Sequence, residues 1–163
     1  MTTRLHALGA FVASTVAAGA VLATAPTAFA ADQDWYSRSE PLNVSDSGTL
    51  RGQAYGTAYQ KNGYLKNHTN WRDRKPGNDH AVYTETSYSY YKVCPGGGSP
   101  AWCPEVGKDQ SARSNSSDWR DQYDSDDYSS RGADRGRVHV KVCEDQKWSG
   151  DPCSRKPYFT FSL

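Results

Sequence analysis

The sequence contains no isoleucine, and its single methionine is Met1. Beyond residue 30 it holds only four leucines, seven valines and two phenylalanines. So short a list of aliphatics excludes an ordinary leucine-rich core, and in a strongly charged chain it would point to disorder. Charge is also scarce in net terms: the formal total over 163 residues is +1. A neutral chain has no general electrostatic footprint for nucleic acid or an anionic membrane, and neither is expected as a partner. Nowhere does an apolar period of three to four residues persist for ten residues, which excludes long amphipathic helices. There is no Gly-x-Ser-x-Gly elbow and no internal repeat.

Rings take the place of aliphatics. Eleven tyrosines and five tryptophans are present, and each buries roughly 150–250 Å² when packed. A core of rings and valines is expected, under a largely polar surface.

The N-terminus reads as an export signal. A short polar start with Arg4 is followed by an almost wholly apolar run from Ala7 to Thr24, then Pro26 and the small-x-small pattern Ala28-Phe29-Ala30. Cleavage after Ala30 is expected, giving a secreted, extracellular and soluble protein without a membrane span. The organisation expected is a signal peptide over 1–30, an N-terminal arm over 31–47 and one domain over 48–163. A monomer is expected. The leader has a bacterial character, so the sequons at Asn43, Asn67 and Asn115 are expected to stay unmodified.

Four cysteines in an exported chain read as two disulfides, for which three connectivities exist. Local pairing is favoured. Cys94 and Cys103 bracket a Pro- and Gly-rich loop, and Cys143 and Cys153 bracket Gly150-Asp151-Pro152. Structural zinc sites use gaps of two to four residues. The longer gaps here argue against a thiolate zinc site, and no cofactor is expected.

From Thr49 the pattern alternates with period two: Gly52, Ala54, Gly56 and Ala58 on one face, Gln53, Tyr55, Thr57 and Tyr59 on the other. Asn62-Gly63 marks a hairpin, whose returning strand over 64–72 puts Leu65, Asn67, Thr69 and Trp71 on one side. The clearest strand runs from His80 to Val93. Its faces carry Val82, Thr84, Thr86, Tyr88 and Tyr90, and opposite them Tyr83, Glu85 and Tyr91. Residues 104–134 show weak periodicity, with a short strand expected over 110–116. Arg137 to Glu144 points Val138, Val140 and Val142 inward and His139 outward. Tyr158 to Leu163 closes the chain with Phe159, Phe161 and Leu163 on one face. Six to eight strands joined by turns predict an all-β fold, a single antiparallel β-sandwich with two disulfide-closed loops.

Two stretches carry a resemblance. Val138-x-Val140-x-Val142-Cys143 followed by Asp151-Pro152-Cys153-Ser154, with the turn Arg72-Asp73-x-x-x-Gly77-Asn78-Asp79, is similar to small secreted actinobacterial β-sandwich proteins of unknown function. The resemblance implies fold and export and carries no activity or catalytic residue.

The aromatic surplus points to extracellular recognition without catalysis, of a cell-wall or environmental glycan or of another protein. Rings stack on the C–H faces of sugars while planar polar side chains meet hydroxyls. Trp102 and Trp148, each inside a disulfide-closed loop, lead this list, with Tyr83 and Tyr91 beside them. The competing reading of each ring is core filling. A second class is a small hydrolase or ribonuclease. It would be centred on Glu85, its pKa raised by burial, with His68 or His80 as partner and Arg72 as cation. The bland alternative for Glu85 is an ordinary ion pair. A third class, a secreted toxin or bacteriocin, is marked by no motif. Asp124, Asp126 and Asp127 form an acidic run that resembles a calcium loop but lacks its central glycine and distal glutamate, so no metal site is expected.

Overall fold

The computed structural model describes residues 31–163, so the export signal read over 1–30 lies outside the described residues. Over the described residues the fold is all-β, ten strands in two antiparallel sheets. They are β1 (Gln33–Trp35), β2 (Leu42–Asp46), β3 (Thr49–Lys61), β4 (Tyr64–Asp73), β5 (Ala81–Val93), β6 (Pro100–Trp102), β7 (Val106–Gln110), β8 (Arg120–Asp127), β9 (Arg135–Asp145) and β10 (Tyr158–Ser162). Sheet A runs β1-β3-β4-β8, with β2 sharing β3's outer edge with β1. Sheet B runs β10-β9-β5-β6, with β7 pairing farther along β5.

The alternation fixes which face each strand buries. Gly52, Ala54, Gly56 and Ala58 of β3 turn inward, as do Leu65, Asn67, Thr69 and Trp71 of β4. They meet Val82, Tyr88 and Tyr90 of β5 and Val138, Val140 and Val142 of β9. Small residues on β3 leave room for rings. A Cβ on Gly56 would stand 2.7 Å from the Trp35 ring and 2.0 Å from the carbonyl oxygen of His68. The hairpin turn falls at Asn62-Gly63, both with positive φ, and Lys61 pairs with Tyr64.

Three expectations are corrected. Residues 31–47 are no arm: β1 and β2 pair with β3, and Trp35, Leu42 and Val44 are core residues. The strand expected over 110–116 is shifted to Val106–Gln110, after which residues 111–114 follow β5 through single bonds, including Ser111 N–H to the Thr84 carbonyl. The ten strands exceed the six to eight expected, because β1, β2, β6 and β7 have only three to five residues each.

Both disulfides close locally, Cys94–Cys103 and Cys143–Cys153. They fit an extracellular or otherwise oxidising environment. Among the described residues no helix is long and apolar enough to cross a membrane.

One end of the sandwich buries acids. Glu144 accepts from Asn78 and Gln146, and Asp73 accepts the Lys75 N–H at 2.6 Å through Oδ1, while its Oδ2 has no partner. Burial raises the Asp73 pKa; the Lys75 and Arg74 N–H groups oppose this and the Glu144 charge adds to it. A raised native pKa means stability is present when Asp73 is protonated and is lost as pH rises through that value. Asp73→Asn keeps the Oδ1 bond and removes the charge. It is expected to stabilise the fold at pH 7, with the gain shrinking as the buffer is acidified into the carboxylate range, as read by urea denaturation at both pH values.

Candidate functional site

The residues singled out from sequence do not converge. Trp148 is 98% exposed at the tip of the loop closed by Cys143–Cys153. Trp102 pairs with Tyr91 at one end of β5, whereas Cys143 pairs with Tyr83 at the other. Eight residues of strand separate them, roughly 27 Å, so the two tryptophans cannot share one small ligand. Trp102 and Tyr91 are half-buried beneath arginines, with Arg137 lying 3.7 Å over the Trp102 ring and Arg135 3.8 Å over Tyr91. Tyr83 is buried, donates to Asp151 Oδ2 at 2.8 Å and lies beneath Arg113, so it offers no ligand face.

The hydrolase set is dispersed as well. Glu85 faces out of sheet B, while His68 and Arg72 stand on the far side of the molecule, on the outer face of sheet A. His80 sits before β5, its Nδ1 3.2 Å from the Asp145 carbonyl. The Glu85 pKa is lowered, not raised. Burial works against the charge, but Lys108 at 2.7 Å, Gln110 and Lys141 at 3.2 Å together outweigh it. The acidic run fails for a geometric reason. Alternation along β8 turns Asp124 and Asp126 inward and Asp127 outward. Asp124 accepts from Thr86 and Gln122, Asp126 from Tyr90 and Arg131, and Asp127 caps Ser129. Among the described residues no group of three acidic, histidine or cysteine side chains is placed to hold a metal ion.

A different surface gathers rings and planar polar groups: the outer face of sheet A. Register aligns Asp34, Thr57, His68 and Tyr123 in one row across β1, β3, β4 and β8. The next row holds Tyr55, Asn70 and Asp121, and the one beyond holds Asn43, Gln53 and Arg72. Thr57 donates to Asp34 at 2.7 Å. His68 stacks on Tyr123, centroids 4.1 Å apart and planes within 2°, and Tyr123 remains 65% exposed. Arg72 donates twice to Gln53 Oε1 and lies 4.4 Å over the Trp119 ring, which meets Tyr55 edge-on at 4.8 Å. Each group is thus held by a neighbour before any ligand arrives.

The face is concave. The segment after β1, where Tyr36 takes a positive φ, forms one wall of a groove of about 400 Å³ whose floor includes Tyr55, Thr57, His68 and Asn70, with Arg38 at its rim. Two buried nitrogens beside it lack hydrogen-bond partners, His68 Nε2, which lies 3.6 Å from Asp121, and the Trp119 Nε1 donor. Burial raises the Tyr59 pKa, and Tyr123 and Asp32 add to that, so Tyr59 stays a neutral hydroxyl on this face.

The sequence reading places Tyr55 and Thr57 on the polar face of a strand and gives His68 a hydrolase role, and singles out none of them, nor Asn70, as a ligand contact; the signal that could have found them is the ring-bearing outer face of the Asn62-Gly63 hairpin. Asp34, Trp119 and Tyr123 give no such signal, because their segments carry no apolar alternation. Compared with known proteins, the chain matches no family model, no curated protein and no solved structure.

Proposed function

We propose that the protein is an exported recognition module that binds a glycan, without chemistry on it, on the outer face of sheet A. The observation that supports this best is the cross-strand row Asp34–Thr57–His68–Tyr123 bordering a groove of about 400 Å³. A sugar ring presents apolar C–H faces and a girdle of hydroxyls. Rings standing beside amide, carboxylate and guanidinium groups, already fixed by one another, match both features at little ordering cost. Trp119 Nε1, buried beside this face with no partner in the protein, is a donor that a ligand hydroxyl would satisfy.

Sedimentation with insoluble cellulose, chitin and bacterial cell wall tests this. The purified protein is expected to pellet with one of them and to be released by the matching soluble oligosaccharide. Tyr55→Ala combined with Tyr123→Ala is expected to weaken binding tenfold or more, about 1.4 kcal/mol, with little change in melting temperature. Trp148→Ala is expected to leave it unchanged. Protein left in every supernatant, or retention unaffected by the double variant, overturns the reading. Loss of retention through Trp148 alone would overturn the sheet A site and move glycan recognition to the loop.

A further inference from the structure

The outer face of sheet B carries a separate arrangement that does not rest on the glycan reading. Register sets Ser87 of β5 opposite His139 of β9, and Ser89 opposite Arg137. Diagonal neighbours on a twisted antiparallel pair also meet, and Ser89 Oγ lies 2.8 Å from His139 Nε2. From the other side, the segment that follows the Cys94–Cys103 disulfide brings Glu105 over β5. Its Oε1 stands 3.6 Å from His139 Nδ1. Its Oε2 accepts the Ser87 hydroxyl at 2.7 Å and pairs with Lys156. The two imidazole nitrogens therefore have different neighbours, a hydroxyl within hydrogen-bond distance of Nε2 and a carboxylate at ion-pair distance from Nδ1. That is the order of nucleophile, base and orienting carboxylate in a hydrolytic triad, and the Nδ1 side must close by about half an ångström for the orienting bond to form.

The residue paired with Ser89 across the strands carries a cation. Arg137 lies 3.7 Å over the Trp102 ring and 4.1 Å over the Tyr158 ring, and its Nε donates to Thr160 at 3.3 Å. The guanidinium is held by rings and a hydroxyl, which leaves its charge available to an oxyanion. Burial pushes the His139 pKa below its ordinary value and outweighs the opposing pull of Glu105, so the neutral base is the resting form at pH 7. Burial also works against the Glu105 charge, but Lys156, Ser87 and His139 together hold that carboxyl ionised.

We propose that Ser89, His139 and Glu105 form a nucleophile, general base and positioning carboxylate that act on small carboxylic esters, with Arg137 facing the developing oxyanion. Ser89 Oγ bonds to the carbonyl carbon as its proton passes to His139 Nε2. The C–O bond to the alcohol then breaks, and the leaving alkoxide takes that proton. Water, deprotonated by the same nitrogen, attacks the acyl-serine, releases the carboxylic acid and restores the hydroxyl. Ser89 is only 4% exposed, which restricts any substrate to the smallest acyl groups.

The deciding experiment is covalent labelling of the whole folded protein with a small fluorophosphonate, followed by peptide mass spectrometry. One adduct is expected, on Ser89, absent from Ser89→Ala and formed about 100-fold more slowly in His139→Gln. The labelling rate is expected to rise with pH through a midpoint below the ordinary histidine value of about 6.5. Melting curves establish that the variants fold; should His139→Gln not fold, Glu105→Gln takes its place and is expected to slow labelling at least tenfold. No adduct on Ser89 at pH 8, or a rate indifferent to both substitutions, overturns the proposal and leaves the three residues as a structural hydrogen-bond network.

Discussion

Trp35→Ala is expected to cost about 3–5 kcal/mol of folding free energy, the largest single-residue loss in the molecule. Two terms act together. The ring is fully buried against Gly56 in a core that has no isoleucine to compensate. The indole N–H also donates to Asn67 Oδ1 at 2.8 Å, and Asn67 passes the connection on, donating to Thr69 and to Thr86 of the facing sheet at 2.9 Å. Thr86 in turn donates to Asp124 at 2.7 Å. Removing the ring opens a cavity and leaves a buried acceptor short of its donor, a penalty of about 1–3 kcal/mol in itself. A domain of this size is stable by only about 5–15 kcal/mol, so the variant is expected to be largely unfolded well below the wild-type midpoint. Trp35→Phe separates the terms. It keeps most of the apolar area and loses the N–H, and is expected to cost about half as much. Urea denaturation followed by far-ultraviolet circular dichroism measures both. A loss under about 1 kcal/mol for the alanine variant would detach β1 from the cooperative unit and restore residues 31–47 to the status of an arm.

That arm shows where the sequence was legible and where it was not. Strands β3, β4, β5, β9 and β10 are readable because each alternates between two faces of different character; burial follows that alternation closely in β4, whereas β5 is buried on both faces from Val82 to Tyr90. Strands β1 and β8 gave no such signal. Trp35 is the one buried residue of a three-residue strand, too short to show a period. The inward positions of β8 are Asp124 and Asp126, because that strand closes the edge of the sandwich where Thr86 and Tyr90 present hydroxyls and not methyls. An acidic run thus turned out to be the polar lining of an edge. The candidate sites failed to emerge for a related reason. Alternation placed Glu85 on the outer face correctly, but its charge state is set by Lys108 and Lys141, which spacing cannot connect to it. Likewise Thr57 and His68 lie on one hairpin, while the row they complete draws Asp34 from 23 residues before Thr57 and Tyr123 from 55 residues after His68. His139 lies on the outer face, as alternation places it, but is not solvent-facing: its side chain is only 13% exposed, covered by partners from β5 and from the loop behind a disulfide.

The two disulfides allow a comparison in which the unfolded-state term nearly cancels. Their sequence separations are 9 and 10 residues, so on the chain-entropy model each removes a similar freedom from the unfolded chain, about 2–3 kcal/mol. Any difference between the two paired alanine variants therefore reports what each bridge does in the folded state. Cys143 is fully buried on the outer face of β9, where Ser154 N–H bonds to the Val142 carbonyl and Val140 N–H to that of Pro157. Those bonds lead directly into β10, whose Phe161 is part of the core. Cys94 and Cys103 instead close a loop beyond the last pairs of β5, with β6 as its one short strand. The Cys143→Ala/Cys153→Ala protein is expected to lose about 3–5 kcal/mol, because the C-terminal strand is no longer held to the sheet while the fold forms around it. The Cys94→Ala/Cys103→Ala protein is expected to lose only the chain-entropy share. Denaturant midpoints with unchanged slopes would give both numbers. Equal losses would mean that β10 docks through Phe161 alone and that both bridges act on the unfolded chain.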